Sequence, residues 1–222
     1  MLTRRIMYKM HTAYIFDFDG TLVDSMPSWS GKVLNILHQT QVSYPADIIR
    51  RITPLGDLGT ARYFQEELGV SLSIQQMMDM MDEYALPKYR DEIILKEGVA
   101  EYLHFLKGQG CSLNVLTASP HKMVDVCLKR NGIYDLFDNV WSCDDFGTTK
   151  SDPGIYTEAV KRIGVELRDA VFFDDNIGAV KTAVEAGLYT VAVYDPSGAD
   201  FADQLAETAD LYIESFQGQG RF

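Results

Sequence analysis

The chain has 222 residues, 46% hydrophobic and 11% aromatic, enough for one large domain, or a domain with an insertion, around a sizeable core. Its net charge of -12 argues against nucleic acid, which needs a basic stripe along the phosphates, and is read as ordinary solubility. No stretch approaches the roughly 20 consecutive apolar residues of a membrane helix, and the N-terminus lacks a signal-peptide run, so no membrane partner and a cytoplasmic location are expected.

Residues 1–10 show no periodicity and are assigned no function. Tyr14 to Phe18 reads as an apolar strand, and strand-like runs recur at 113–117, 140–142, 170–173, 190–193 and 211–213. Helical stripes separate several of them. Val99, Tyr102, Leu103 and Leu106 form one; Val124, Cys127 and Leu128 follow Pro120; Ile155, Ala159, Val160 and Ile163 follow Pro153. Helices alternating with fully apolar strands imply an α/β fold: a Rossmann-like parallel sheet covered by helices on both faces, with ligands at the carboxyl ends of the strands.

Residues 27–95 break the alternation. Their stripes (Trp29, Val33, Ile36, Leu37; Ile48, Ile49, Ile52; Ala61, Phe64, Leu68; Met77, Met78, Met81, Tyr84, Ala85) are all helical, with no strand between them. The expected organisation is a core of 1–26 and 96–222 with a helical insertion, 27–95, hanging over the carboxyl edge of the sheet where it could close on a substrate. The methionines at this spacing are read as core. Cys111, Cys127 and Cys143 are odd in number and widely spaced, which suggests buried thiols rather than a disulfide framework or a zinc site.

Chemistry-bearing residues fall at the ends of four predicted strands, which a parallel sheet brings together. Asp17 and Asp19 end the first, Thr117 the second, and Lys150 follows the third. Asp174 and Asp175 end the fourth. Carboxylates this dense raise one another's pKa unless a cation neutralises them. Magnesium suits an all-oxygen site and takes one or two carboxylates plus phosphate oxygens, so a phosphate ester fits best.

The run Asp17-Phe18-Asp19-Gly20-Thr21, extended by Leu22-Val23-Asp24-Ser25, resembles the first motif of the haloacid dehalogenase-like (HAD) superfamily, in the branch with a helical cap after that motif. Thr117, Lys150 and the Asp174-Asp175 pair match the remaining three motifs in order. The resemblance implies a phosphatase acting on a small phosphorylated metabolite. Asp17 would attack phosphorus to give an aspartyl-phosphate, and Asp19 would protonate the leaving alcohol and then activate water. Thr117 and Lys150 would hold the phosphoryl oxygens, with backbone N–H groups near Phe18, Gly20 and Ala118 completing the cradle. Mg2+ would be held by Asp17, Asp175, the Asp19 carbonyl and Asp174, the last directly or through water.

Asp19 favours an alcohol leaving group over dehalogenation. Beta-phosphoglucomutase-like relatives, the enzyme alternative, tend to carry a His early in the cap where this chain has Trp29. A slow phosphometabolite-binding member is the alternative outside catalysis. Asp24 and Ser25 are read as fixing the turn into the cap, and Asp144 and Asp145 as a solvated loop. Ser119 and His121 lie near Thr117 but are given no role. Arg50, Arg51 and Arg62 are read as exposed, and Pro54-Leu55-Gly56 with Gly59 resembles a loop used in specificity.

Overall fold

A computed structural model describes residues 11–52 and 55–222; the N-terminal segment and Pro54, both singled out above, lie outside the described residues. All six expected strands are present: β1 (Ala13–Phe16), β2 (Ser112–Thr117), β3 (Asn139–Ser142), β4 (Ala170–Asp174), β5 (Tyr189–Val193) and β6 (Leu211–Ile213). They form one parallel sheet in the order β3-β2-β1-β4-β5-β6. The sequential order reverses between β1 and β4, so the crevice outside these two strands is where ligands bind in such sheets.

Alternation along the strands divides two cores. Tyr14, Phe16, Leu113, Val115 and Phe173 face α5 (Val99–Gly108) and α6 (His121–Arg130). Ala13, Ile15, Leu116 and Phe172 face α7 (Pro153–Ile163) and α8 (Ile177–Glu185). Phe16 stacks on Phe173 across the β1–β4 pair, centroids 4.6 Å apart, which fixes the two strands that carry acids. A small cluster of Val180, Ala192 and Leu205 seats α9 (Ala202–Thr208) beside β5. Cys111, Cys127 and Cys143 are free and buried, as expected.

Among the described residues four α-helices lie between β1 and α5: α1 (Met26–Thr40), α2 (Ile48–Ile52), α3 (Gly56–Glu66) and α4 (Ile74–Asp91). Val33, Ile36, Ile52, Phe64, Met77 and Met81 give them a core of their own, so the methionines pack inward. The chain enters and leaves this layer through paired segments, with Asp24 N–H donating to the Ile94 carbonyl at 3.0 Å and Lys96 N–H to that of Leu22 at 3.0 Å. α4 starts at a Ser73–Gln76 capping box and joins both cores: Met77 and Met81 belong to the helical layer, Ala85 and Tyr89 to the sheet. Among the described residues no helix is long and apolar enough to cross a membrane.

The first strand is shorter than the sequence suggests. Asp17 N–H still donates to the Phe173 carbonyl at 2.8 Å, but Leu22 and Val23 N–H both return to the Phe18 carbonyl, so the chain has turned by then. β1 therefore stops at Phe16, and Phe18 belongs to the turn.

Candidate active site

Burial concentrates charge at the carboxyl edge. Asp17, Asp174 and Asp175 are buried, and one oxygen of each lies within 4.8 Å of the others. Lys150 reaches them from the segment after β3, its Nζ 2.5 Å from Asp17 Oδ1 and 2.7 Å from Asp174 Oδ2. Asp174 Oδ1 also accepts the Asn176 N–H at 2.7 Å, while the Asn176 side chain caps α8.

Burial pushes the Asp17 carboxyl up to about 7, helped by the Asp174 and Asp19 charges and opposed by Lys150. Asp175 is raised well above the usual range by burial and then by Asp174 and Asp17. Burial works against the Lys150 ammonium, but Asp17 and Asp174 outweigh it and hold its pKa above the ordinary lysine value. Three acids and one cation leave an excess of negative charge in a buried all-oxygen site, which a hard divalent cation matches.

Gly20 is where backbone freedom matters. Its φ is +77°, and a Cβ there would stand 2.5 Å from Asp175 Oδ2. Only glycine both makes this turn without strain and lets Asp175 pack against it. Thr21 Oγ1 donates to Asp175 Oδ1 at 3.0 Å, and Lys96 Nζ donates to the Gly20 and Tyr194 carbonyls at 2.6 Å each.

Asp19 is held apart from the acid cluster. Its Oδ1 accepts from Ser25 Oγ at 2.6 Å and Tyr89 OH at 2.5 Å, and its Oδ2 from Ser119 Oγ at 2.5 Å. Thr117 is buried at the end of β2, its Oγ1 accepting the Ser119 N–H at 3.1 Å; Ala118 beside it is exposed. The sheet thus brings Asp17, Thr117, Lys150, Asp174 and Asp175 to one edge, with Phe18, Asp19 and Gly20 in the turn beside them.

Four side chains here have roles that the sequence pattern does not assign. Ser25 precedes α1 but makes no side-chain cap, because its hydroxyl is given to Asp19. Ser119 has the same target. Tyr89 continues the Met77, Met81, Ala85 stripe by one more turn, and that spacing was the only signal available for it. Lys96 gave no signal beyond its place at the return of the chain.

Other residues fall outside the cluster. His121 turns to Asp145 at 2.8 Å and Asp125 at 3.3 Å, and the Asp145 contact raises its pKa. Asp145 also accepts the Ser142 N–H at 2.9 Å and so closes a 3-10 turn, while Asp144 and Asp145 are both exposed, as expected of a solvated loop. Asp24, Arg51 and Arg62 are exposed. Arg50 is exposed too, but with Met26, Ile49, Asn176 and Phe201 it lines a cavity of about 580 Å³ that has Asp175 on its wall.

Comparison with known proteins gives these residues a context. Hexitol phosphatase B of Escherichia coli is 27% identical over 209 residues, 91% of each chain. CbbY from Rhodobacter sphaeroides, solved with xylulose-(1,5)bisphosphate, superposes with a TM-score of 0.83 at 22% identity, covering 95% of this chain and 97% of its own. Beta-phosphoglucomutase from Clostridium difficile does so with a TM-score of 0.78 at 19% identity, covering 95% and 94%. At these identities the two structures speak for the α/β fold. The family described as haloacid dehalogenase-like hydrolase matches residues 14–193, from the first residues of β1 to the end of β5, and so encloses every acid of the cluster and Lys150. The chain therefore belongs to the haloacid dehalogenase-like hydrolase family and is a hydrolase.

Proposed function

We propose that the protein is a magnesium-dependent phosphatase that hydrolyses a small phosphomonoester through an aspartyl-phosphate on Asp17. The observation that carries this reading is the division of the carboxylates: Asp17 lies between Lys150 and two further acids, while the Asp19 side chain, two residues on, accepts from three hydroxyls. One acid is thereby set for attack and the other for proton transfer.

In the first step a carboxylate oxygen of Asp17 bonds to phosphorus, the ester P–O bond breaks, and the alcohol oxygen takes its proton from Asp19. In the second, Asp19 takes a proton from water as that water attacks phosphorus and Asp17 leaves. Thr117 Oγ, the Lys150 ammonium and N–H groups of Phe18, Gly20 and Ala118 hold the phosphoryl oxygens. Asp17 at about 7 is only about half ionised at neutral pH, so the nucleophile needs cationic help beyond Lys150. Asp17, Asp174, Asp175 and the Asp19 carbonyl would hold Mg2+, which supplies charge neutralisation between nucleophile and phosphate.

Residues 27–95 are proposed to act as a cap over residues 1–26 and 96–222. Supporting this are their separate core and the cavity in which Arg50 of α2 and Asp175 share a wall. Of the acid cluster only Asp175 lines this cavity, so it adjoins the metal side of the site, and a small phosphorylated metabolite is proposed as the substrate from the class that the hexitol phosphatase relative names.

Phosphate release from a panel of small phosphomonoesters, with and without EDTA, tests the reading. The expected result is release that needs both magnesium and Asp17, abolished in Asp17→Asn. Equal release by Asp17→Asn would overturn the assigned nucleophile, and isomerisation of a sugar phosphate without net release would favour the mutase alternative.

A further inference from the structure

Three hydroxyls hold Asp19, and they do not come from the same part of the molecule. Ser25 lies in the segment leaving the first motif and Ser119 in the loop after β2, whereas Tyr89 lies 70 residues from Asp19, on α4. We infer that Tyr89 is a positioning residue for the proton-transferring acid, holding Asp19 through Oδ1 so that Oδ2 is presented to the leaving alcohol. The inference rests on the phosphatase reading above and adds a residue to it.

Tyr89 is held so that its hydroxyl meets Asp19 Oδ1 beside Ser25. It is 2% exposed, its ring stacks on Phe18 with centroids 6.0 Å apart and planes 27° apart, and Phe18 separates Asp17 from Asp19. The backbone of Tyr89 is fixed by a helix that spans both cores, with Met77 and Met81 in one and Ala85 in the other. Anchorage of this kind restricts an otherwise rotatable aspartate, and a displacement of about 1 Å in such a group costs on the order of 100-fold in rate.

Proton bookkeeping is consistent with the arrangement. When Asp19 carries a proton on Oδ2, that oxygen still accepts the Ser119 hydroxyl through its remaining lone pair and turns its O–H toward the alcohol, while Tyr89 and Ser25 continue to donate to Oδ1. As Asp17 bonds to phosphorus and the ester bond breaks, the Oδ2–H bond breaks and its proton passes to the alcohol oxygen. A nitrophenolate leaving group needs no such proton. Loss of Tyr89 therefore penalises poor leaving groups selectively.

The test compares kcat/KM, which reports the transfer step, for an alkyl phosphomonoester hydrolysed by the parent enzyme and for nitrophenyl phosphate. Tyr89→Phe keeps the ring and removes the hydroxyl. We expect about a 10- to 100-fold loss on the alkyl ester against about 3-fold or less on the aryl ester, within the range of general-acid contributions. Tyr102→Phe is the control: Tyr102 is 2% exposed in the same core, its hydroxyl has no partner among the described residues, and the ratio should not move. Tyr89→His retains a ring donor and should restore part of the ratio. Equal losses on both esters by a folded Tyr89→Phe, or a loss confined to KM, would overturn the proposal while leaving the phosphatase reading intact. A parent enzyme that releases phosphate from neither ester would refute both.

Discussion

On the proposed function, removing or adding magnesium should change stability in a way that depends on pH, because the same carboxylates would bind the proton and the metal. Asp17 is held up to about 7 against about 3.9 in an unfolded chain. Its folded-state pKa is raised, so without metal its contribution to stability is full below about pH 4 and is lost as pH rises through about 7. Asp175, also raised, acts in the same direction. A cation reverses this by favouring the ionised pair. At about pH 8 and magnesium about 100-fold above its dissociation constant, linkage adds about 2.7 kcal/mol. At about pH 5.5 the Asp17 proton alone weakens binding by roughly 30-fold, leaving about 0.8 kcal/mol at the same concentration. For a chain of this size 1 kcal/mol is about 2 to 4 °C, so the expected rise in Tm is about 5 to 11 °C at the higher pH and about 2 to 3 °C at the lower. Thermal melts with magnesium or EDTA at matched ionic strength measure both. Equal shifts at the two pH values would show that the cation binds without displacing protons from Asp17 and Asp175, and the reasoning would fail.

Four substitutions probe the remaining geometry. Asp19→Asn should lose about 10²- to 10⁴-fold in kcat on an alkyl phosphate with KM little changed, and a loss confined to KM would contradict its proton-transfer role. Gly20→Ala should destabilise by at least about 1 to 2 kcal/mol in denaturant unfolding, since φ +77° is strained for alanine and its Cβ must displace the Asp175 carboxylate; a loss under about 0.5 kcal/mol would mean the turn relaxes. Lys150→Met leaves Asp17 and Asp174 without their cation and should cost about 3 to 5 kcal/mol at neutral pH in the metal-free protein. That deficit should shrink below about pH 6, where Asp17 keeps its proton, and a pH-independent deficit would point to packing loss. Arg50→Ala should raise KM for the best substrate while leaving the melting temperature within about 2 °C, because its ion pair with Asp47, at 3.4 Å, is exposed and contributes little. An unchanged KM would show that the cavity lined by Arg50 does not take the substrate.

The four inner strands were legible because they are buried on both faces. Continuous apolar runs such as Val171, Phe172, Phe173 have no polar alternative, and the six strands fall within about two residues of where the pattern puts them. α8 and α9 were harder to read. The buried face of α8 is Ala179, Val180 and Ala183, small residues that make a faint stripe, and α9 is seven residues with Leu205 as its buried anchor. The acid cluster was legible for a different reason: Asp17, Thr117, Lys150 and Asp174 each follow a readable strand, and parallel topology converts the ends of β1, β2, β3 and β4 into neighbours. What surrounds Asp19 has no such route from sequence. Its partners are two serines and a tyrosine, residue types common in turns and cores, and they meet through rotamers rather than register. Tyr89 is the clearest case, since the stripe that predicts its burial equally predicts a silent core residue. Only the position of its hydroxyl, at the one end of a buried ring that touches a carboxylate, distinguishes the two. Motif residues announce themselves because backbone topology gathers them, whereas the residues that orient them are found only once side chains are placed. In this family fold, differences in how the second acid is held will therefore be sought on the helical layer more profitably than along the strand ends.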